Sequence, residues 1–398
     1  MIDRLEALSR IEQAARLMPA TRLALSDVRG HVAAEDISAG VTQPPASMSA
    51  MDGYAVRFED LAKAPEGLEL IGEAAAGSPF EGQIGPGQAV RVFTGSVIPD
   101  GADHVIIQED TDRSGQKIHI TEPQDQPRNI RLAGIDFQQG QLLISKGRLL
   151  DGPALGIAAA ANCPEVSVYR KPKVVLIANG DELKLPGNAL DLGEIICSTP
   201  FALAPLIRLW GGEPVFSGIT PDDPDVISKC IADHEDADVM IPLGGASVGD
   251  YDYMKSVFSD KGFESVFSKV AIKPGKPTWF GNLNMTHVLG LPGNPASAIV
   301  CAHLFLAPLL AFMQGTKIGA RETTARLMTD VPANGARETF LRATSHTDQN
   351  GQIRATPADN QDSSLMSPFL SANLLIQRAP NSAALKAADP VPCLFLHQ

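Results

Sequence analysis

The 398-residue sequence predicts an α/β multidomain protein whose largest unit is an open, mostly parallel sheet with helices on both faces. Three observations predict it. Apolar β-rich runs alternate with helical stretches from Lys171 to about Ala320, short alternating segments between Gly- and Pro-rich turns fill residues 44–137, and short strand-like stretches follow Ala320. The expected organisation is an N-terminal helical part (1–43 with 138–170), a barrel-like insertion (44–137), the open-sheet unit (171–320) and a small C-terminal β domain (321–398).

Taken in order, MIDRLEALSRIEQAARLM places Leu5, Leu8, Ile11, Ala15 and Met18 at helical spacing among charged residues, which predicts an amphipathic helix and not a signal peptide. In the insertion, QAVRVF and HVIIQED are separated by the turn-forming EGQIGPG, PDGAD and RSGQK. LLDGPALGIAAAANC returns to a helix-compatible run. KVVLIA (173–178) is then a strand, and residues 200–210 form a helix stopped by Gly211 and Gly212. PVFSGI (214–219) and DVMIPL (238–243) are further strands around the acidic helix start PDDPDVISKCIADHE. YMKSVFSDKG is another helix, and HVLGL (287–291) is a strand before a long apolar helix starting near Pro295. ETFLRATSH, QIRATP and NLLIQRA supply the C-terminal strands.

Composition excludes several functions. With 33 Lys and Arg against 46 Asp and Glu the net charge is −13, which repels polyanions at long range and excludes duplex nucleic acid as main partner. The longest apolar run, near 299–313, is interrupted by His303 and Pro308 and falls short of a bilayer span, so no membrane segment is expected. Five cysteines are scattered without a CxxC pair, which argues against a disulfide framework or zinc site and for a reducing cytoplasm. The eight histidines show no ligand spacing.

A parallel sheet binds ligands beyond the carboxyl ends of its strands, where helix N-termini and free N–H groups converge. Three loops at that position are unusual: ANGDEL (178–183) with Asp181 and Glu182, GGASVGDYD (244–252) with Gly244, Gly245, Ser247, Gly249, Asp250 and Asp252, and LPGNPASA, where Pro292, Gly293 and Asn294 precede Pro295. Glycines that cradle an anion beside carboxylates that hold magnesium suit phosphate chemistry. KVAIKPGKPTWFG (269–281) adds Lys269, Lys273 and Lys276 around a Pro-Gly-Lys-Pro turn, an anion site in an otherwise acidic chain. GASVG also fits the GxSxG nucleophile elbow, so a hydrolase using Ser247, with His287, His303, His346 or His397 as base, is a competing reading. Asp52 and Gly53 in PPASMSAMDGYAVR suit a turn, and FTGSVIPDGAD and NIRLAGIDF suit hairpins.

Together these strings resemble the molybdopterin molybdenumtransferase family, the MoeA-type molybdenum insertases to which the gephyrin E domain also belongs. The resemblance rests on PPASMSAMDGYAVR, RVFTGSVIPDGADHVIIQED, NIRLAGID, the GDEL of ANGDEL, GGASVGDYD, KVAIKPGKP and GLPGNPASA, in the family's order. It implies an elongated homodimer of four-domain subunits with a MogA-like doubly wound domain. It also implies insertion of molybdate into adenylylated molybdopterin with Mg2+-assisted release of AMP. The family's functional positions fall on Asp52, Thr94, Arg131, Asp136, Glu182, Asp250, Lys269 and Lys273. Of these, Asp250 and Glu182 are the metal candidates and the lysines the molybdate or phosphate candidates. Gly244, Gly245, Ser247, Gly249, Lys276, Pro292, Gly293 and Asn294 are expected around the bound pterin nucleotide. Asp52 and Thr94 are implied to face the doubly wound domain of the other subunit.

Molybdopterin adenylyltransferase, molybdoenzymes or their chaperones are the partners such a protein could meet. The chain also departs from the family. It has Ala178 and Asn179 where Ser-Thr is usual, Cys197-Ser198-Thr199 for Asp-Ser-Asn, Ile135 for Glu, and Leu243 to Ala246 for Ser-Gly-Gly-Val. These exchanges keep a second reading in view, a catalytically weak pterin-binding or scaffold paralogue.

Overall fold

The structure, a computed structural model, describes residues 1–63, 66–244, 253–316 and 322–396. Its central sheet contains β1 (Lys173–Asn179), β2 (Glu213–Thr220), β3 (Val239–Leu243), β4 (Glu264–Phe267), β5 (Trp279–Leu283) and β6 (Thr286–Gly290), numbered within this sheet and lying in the order β2-β1-β3-β6-β5-β4. The first, second, third and sixth run parallel, while β5 and β4 add antiparallel pairs at one edge. The parallel strands are those that the alternation of apolar runs predicts. The edge pair escapes it, because Glu264–Phe267 and Trp279–Leu283 flank a Pro- and Lys-rich stretch that reads as a turn.

Burial on both faces explains the apolar runs. Val174 and Leu176 enter a core with Leu203, Ile207 and Ile299, whereas Val175 and Ile177 enter one with Ile227, Ile231, Met254 and Phe258. The two sets alternate along β1, and these four side chains are fully buried. The covering helices start where capping chemistry dictates. Asp223 accepts from the N–H groups of Asp225 and Val226 at 2.8 and 3.2 Å to open Pro224–Ala232, and Pro200 stands in the first turn of Thr199–Leu209.

The apolar helix is longer than its sequence suggests. It runs without a break over Pro295–Met313, 19 residues with mean hydropathy 2.1, which by length and composition would cross a bilayer, but 89% of it is buried inside the fold. Pro308 does not end it because a π-helical turn, Ala302–Leu306, precedes it, and the Ala307 N–H bonds to Ala302 O, five residues back.

The N-terminal helix is Arg4–Ala14, capped by Asp3, and buries Ala7 and Ile11. It stops before the predicted Met18, since Ala15 is extended and the following chain ties itself to the sheet domain by Arg16 N–H to His287 Nε2 (3.3 Å) and Met18 N–H to Met313 O (2.8 Å). Ala20–Ala24 then pairs with Glu165–Tyr169, beside the helix Gly152–Ala160. The barrel-like insertion has the strand order His104–Ile107, Gly53–Val56, Gln88–Val92, Leu68–Ala74, Lys117–Ile120, Thr111–Ser114. The C-terminal unit closes on itself. Glu338–Thr347 pairs with Ile353–Pro357 along one part and with Leu374–Arg378 along another, and Glu322–Leu327 and Pro390–Phe395 complete a ring of five strands. Ile272–Lys273 joins that ring as a parallel addition to Glu338–Thr347.

His287 on β6 makes the fold pH-sensitive. It is 1% exposed, its Nδ1 bonds Asn282 Oδ1 (2.7 Å) and its Nε2 accepts from Arg16, so the ring is held neutral. Burial first, and then the Arg16 charge, push its pKa down to about 4. An unfolded chain takes up this proton near the ordinary histidine value of 6.5, so the contribution is complete above that pH and is lost as pH falls from 6.5 to about 4, by about 3 kcal/mol. Both tryptophans, Trp210 and Trp279, lie in this domain, so their fluorescence during urea unfolding reports it. Between pH 7 and 4.5 the native protein should lose about 2 to 3 kcal/mol more than His287→Gln; equal losses would show that the histidine is not the sensor.

Candidate active site

A cleft of about 780 Å³ opens at the carboxyl ends of β1 and β3. Its floor is backbone. Gly244, at φ +96°, follows β3, and a Cβ built on Gly293 would lie 3.3 Å from the Gly244 Cα, tighter than ordinary van der Waals contact, so the close approach of the two loops favours glycine at 293. Pro292, Gly293 and Asn294 lead into the helix at Pro295, and Ser198 and Thr199 lead into the helix Thr199–Leu209. Two helix N-termini therefore face one space, an arrangement suited to anions.

One wall is built by the loop after β1. Asn179 is 6% exposed, and its Nδ2 donates to Thr220 O and Pro221 O, both at 3.1 Å, clamping the ends of β1 and β2. Asp181 Oδ1 accepts the Asp222 N–H (3.1 Å), so Asp222 is brought to the cleft beside the loop that carries Glu182. Gly180 sits at φ +150°, and a Cβ there would collide with the Glu182 carboxylate, which folds back over the glycine. Cys197 lines the same wall, its thiol pushed up by burial.

The opposite wall comes from the C-terminal barrel. Arg342, 3% exposed, donates to Leu365 O (2.7 Å), Asp362 O (2.9 Å) and Asn360 O (3.3 Å), and so anchors the segment that presents Ser364 and Met366 to the cleft. Asn294 Nδ2 donates to Ser363 Oγ (2.8 Å) and Ala296 N–H to Ser363 O (3.2 Å), closing the seam between barrel and helix start.

Among the described residues the cleft is lined by two carboxylates, Glu182 and Asp222, and by no lysine or arginine. No group of three His, Cys, Asp or Glu side chains that could cage a metal occurs among the described residues. Magnesium, however, is commonly held by one or two carboxylates with water and substrate phosphate, and that donor set fits Glu182 with Asp222.

The chain has relatives of known kind. Residues 2–162 match the MoeA N-terminal region (domain I and II), 176–311 the probable molybdopterin binding domain, and 324–396 the MoeA C-terminal region (domain IV). It is 34% identical over 373 residues to a molybdopterin molybdenumtransferase of Haemophilus influenzae, covering 93% of this chain and 92% of that one. The chain belongs to the molybdopterin molybdenumtransferase family. A similar enzyme of Nostoc sp. is 35% identical over 330 residues, 80% of this chain and 75% of its own. The fold matches a crystal structure of a molybdopterin biosynthesis MoeA protein from Pyrococcus with TM-score 0.85, 30% identity and full coverage of both chains. Membership places the chain in molybdenum cofactor biosynthesis.

The residues that the family resemblance singles out are not gathered at one place within the chain. Glu182, Gly244, Pro292, Gly293 and Asn294 line the cleft. Lys269, Lys273 and Lys276 are exposed on the neighbouring segment, of which Pro277 reaches the cleft. Gly245, Ser247, Gly249 and Asp250 lie outside the described residues, so the hydrolase reading of Ser247 gains nothing from the geometry. Asp52, Thr94, Arg131 and Asp136 are on the insertion and do not line this cleft. There Asp52 Oδ1 accepts both the Thr94 N–H (2.7 Å) and hydroxyl (2.8 Å), and these bonds, with the Arg91 charge, hold its carboxyl below the usual range. Arg131 pairs with Met48 in a two-residue ladder, and Asp136 N–H donates to Gln43 O (3.1 Å).

Sequence reasoning missed Asp222, Arg342, Ser363 and Ser364. Asp222 had a signal, since PDD follows β2 at the same carboxyl edge as the other loops. The three barrel residues had none, because they reach the cleft only through packing between domains.

The Asn179 clamp is testable. Threonine, usual for the family at this position, has a single hydroxyl hydrogen and cannot serve both carbonyls. Asn179→Thr should cost about 1 kcal/mol and Asn179→Ala about 2 kcal/mol in urea unfolding followed by tryptophan fluorescence. A stability loss within about 0.3 kcal/mol, the error of such a comparison, would show that Asn179 does not clamp the two strand ends.

Proposed function

We propose that the chain inserts molybdate into adenylylated molybdopterin with release of AMP, and that the cleft between the ends of β1 and β3 and the C-terminal barrel is where the nucleotide lies. The observation that carries this reading is the glycine-floored space between two helix N-termini, bounded by Glu182 and Asp222. The backbone N–H groups there suit the phosphates of the substrate, which approach closely because Gly244 and Gly293 offer no side chain. Glu182, Asp222 and, from the family pattern, Asp250 would hold Mg2+, which when bound neutralises charge on the pyrophosphate as it is hydrolysed. Lys273, Lys276 and Lys269 supply positive charge for the molybdate dianion, which the lining of the cleft itself lacks.

The insertion's Asp52, Thr94, Arg131 and Asp136 are proposed to complete the site from a second copy, in a homodimer of four-domain subunits divided at 1–43 with 138–170, 44–137, 171–320 and 321–398. A reducing, cytoplasmic location fits the five cysteines, all free. A molybdopterin adenylyltransferase is the natural supplier of substrate, and molybdoenzymes or their chaperones the natural recipients.

Incubation with adenylylated molybdopterin, molybdate and Mg2+ should release AMP; a protein that binds the pterin without release is a scaffold paralogue instead. Glu182→Gln should lower AMP release about a hundredfold, ~2.7 kcal/mol of barrier, because a neutral amide does not replace the carboxylate's charge. Lys273→Ala should raise the KM for molybdate about tenfold, ~1.4 kcal/mol, with pterin binding little changed. An unchanged molybdate dependence would detach the lysine from the anion.

A further inference from the structure

The segment carrying Lys269 and Lys273 is hydrogen-bonded through its main chain to two other parts of the chain, which an exposed basic turn does not require. The Ile2 N–H donates to Lys269 O (3.3 Å) and the Ala271 N–H to Ile2 O (2.8 Å). Next along the segment the Glu338 N–H donates to Ala271 O (3.0 Å), and Ile272 and Lys273 pair with Glu338 and Thr339. Residues 269–273, with a bend at Ala271, are thus paired first with the N-terminus and then with the C-terminal barrel. Val270 and Ile272 are fully buried, so strand alternation puts Lys269 and Lys273 together on the exposed face.

The two flanking chains are also joined to each other. Arg4 Nε donates to Glu338 Oε2 at 3.0 Å, with side chains only 9% and 15% exposed, and the Arg4 guanidinium stands 5.7 Å from the centre of the Phe340 ring. Gln377 Nε2 donates to the other Glu338 oxygen. Burying an ion pair gives up hydration that its Coulomb attraction often only offsets, so the pair is a weak source of stability, whereas fixing a register is a well-attested use for one. Register matters acutely here. A slip by one residue would turn Lys269 and Lys273 inward and Val270 and Ile272 outward.

We infer that Arg4 and Glu338 are positioning residues for the anion-binding lysines, the ion pair fixing the register of residues 269–273 and with it the face on which Lys269 and Lys273 stand. This inference rests on the proposed role of those lysines toward molybdate. It makes the first residues of the chain part of the anion site, although they touch neither the cleft nor the substrate.

The test combines Arg4→Ala, the milder Arg4→Lys and Lys273→Ala in the full-length protein, read by native-state hydrogen exchange and by molybdate KM and kcat. Arg4→Ala should speed exchange at the Ala271 and Glu338 amides at least about tenfold over amides of β1, and should raise molybdate KM about fivefold with kcat within about twofold. Arg4→Lys should fall between it and the native protein. On the Lys273→Ala background Arg4→Ala should add less than it does to the native protein, since only Lys269 is left for it to position. Unchanged exchange at both amides overturns the inference, as does faster exchange with unchanged KM while Lys273→Ala raises KM. A purely structural role would lower the active fraction and so kcat, leave KM alone, and add fully to Lys273→Ala. If Lys273→Ala itself leaves KM unchanged, the molybdate reading of the lysine fails, while faster exchange still establishes the clasp.

Discussion

The architecture depends on β1 being buried on both faces. Four consecutive apolar side chains alternate between two separate cores, so helices must cover both sides of the sheet and every connection must leave at a strand end. That requirement puts the ends of β1, β2, β3 and β6 along one edge and the starts of two covering helices beside them. The cleft is the space these ends leave open. Its residues are small or backbone-only at the floor because two strand-end loops meet there at van der Waals distance, and its carboxylates sit on the loops at the wall.

Electrostatics then divides the labour between domains. A chain of net charge −13 would, in the proposed reaction, hold a polyanionic substrate, and the described lining of its cleft carries negative side chains and no cation. Helix N-termini meet part of the demand at fixed positions. The remaining positive charge stands on the neighbouring segment 269–276, which the C-terminal barrel and the N-terminus hold between them. The barrel contributes a wall as well, through the segment that Arg342 anchors with three main-chain contacts.

Much of this was legible in the sequence. Alternating apolar runs gave the four parallel strands because a doubly covered strand is apolar throughout, and Gly-Asp-Glu and Pro-Gly-Asn strings marked two of the loops that form the cleft. What stayed hidden was set by packing at long range. Glu264–Phe267 and Trp279–Leu283 are strands because they pair at the sheet edge, although a stretch rich in proline and lysine separates them. The N-terminal helix ends at Ala14 although its apolar spacing continues, because Arg16 and Met18 find better partners on the sheet domain than in a further helical turn. The closure of the C-terminal strands into a ring is likewise invisible in ETFLRATSH or QIRATP, since closure is a property of partners and not of patterns.

The π-helical turn in the long buried helix has a geometric outcome of its own. Each residue of an α-helix advances about 100° around the axis, so the extra residue accommodated at Ala302–Leu306 rotates the later half relative to the earlier by roughly that angle. One continuous rod can then serve two neighbours that lie in different directions. Its first half sets Cys301 against Thr278, 3.2 Å from the hydroxyl, under the Pro-Gly-Lys-Pro turn, while its second half ends where Gln314 Nε2 bonds Trp210 O (3.0 Å) and Met313 O receives the Met18 N–H. A straight α-helix of the same composition would satisfy one of these directions and turn the other aside, so loss of a single residue between Ala302 and Leu306 would rephase half the core without removing any apolar surface from it.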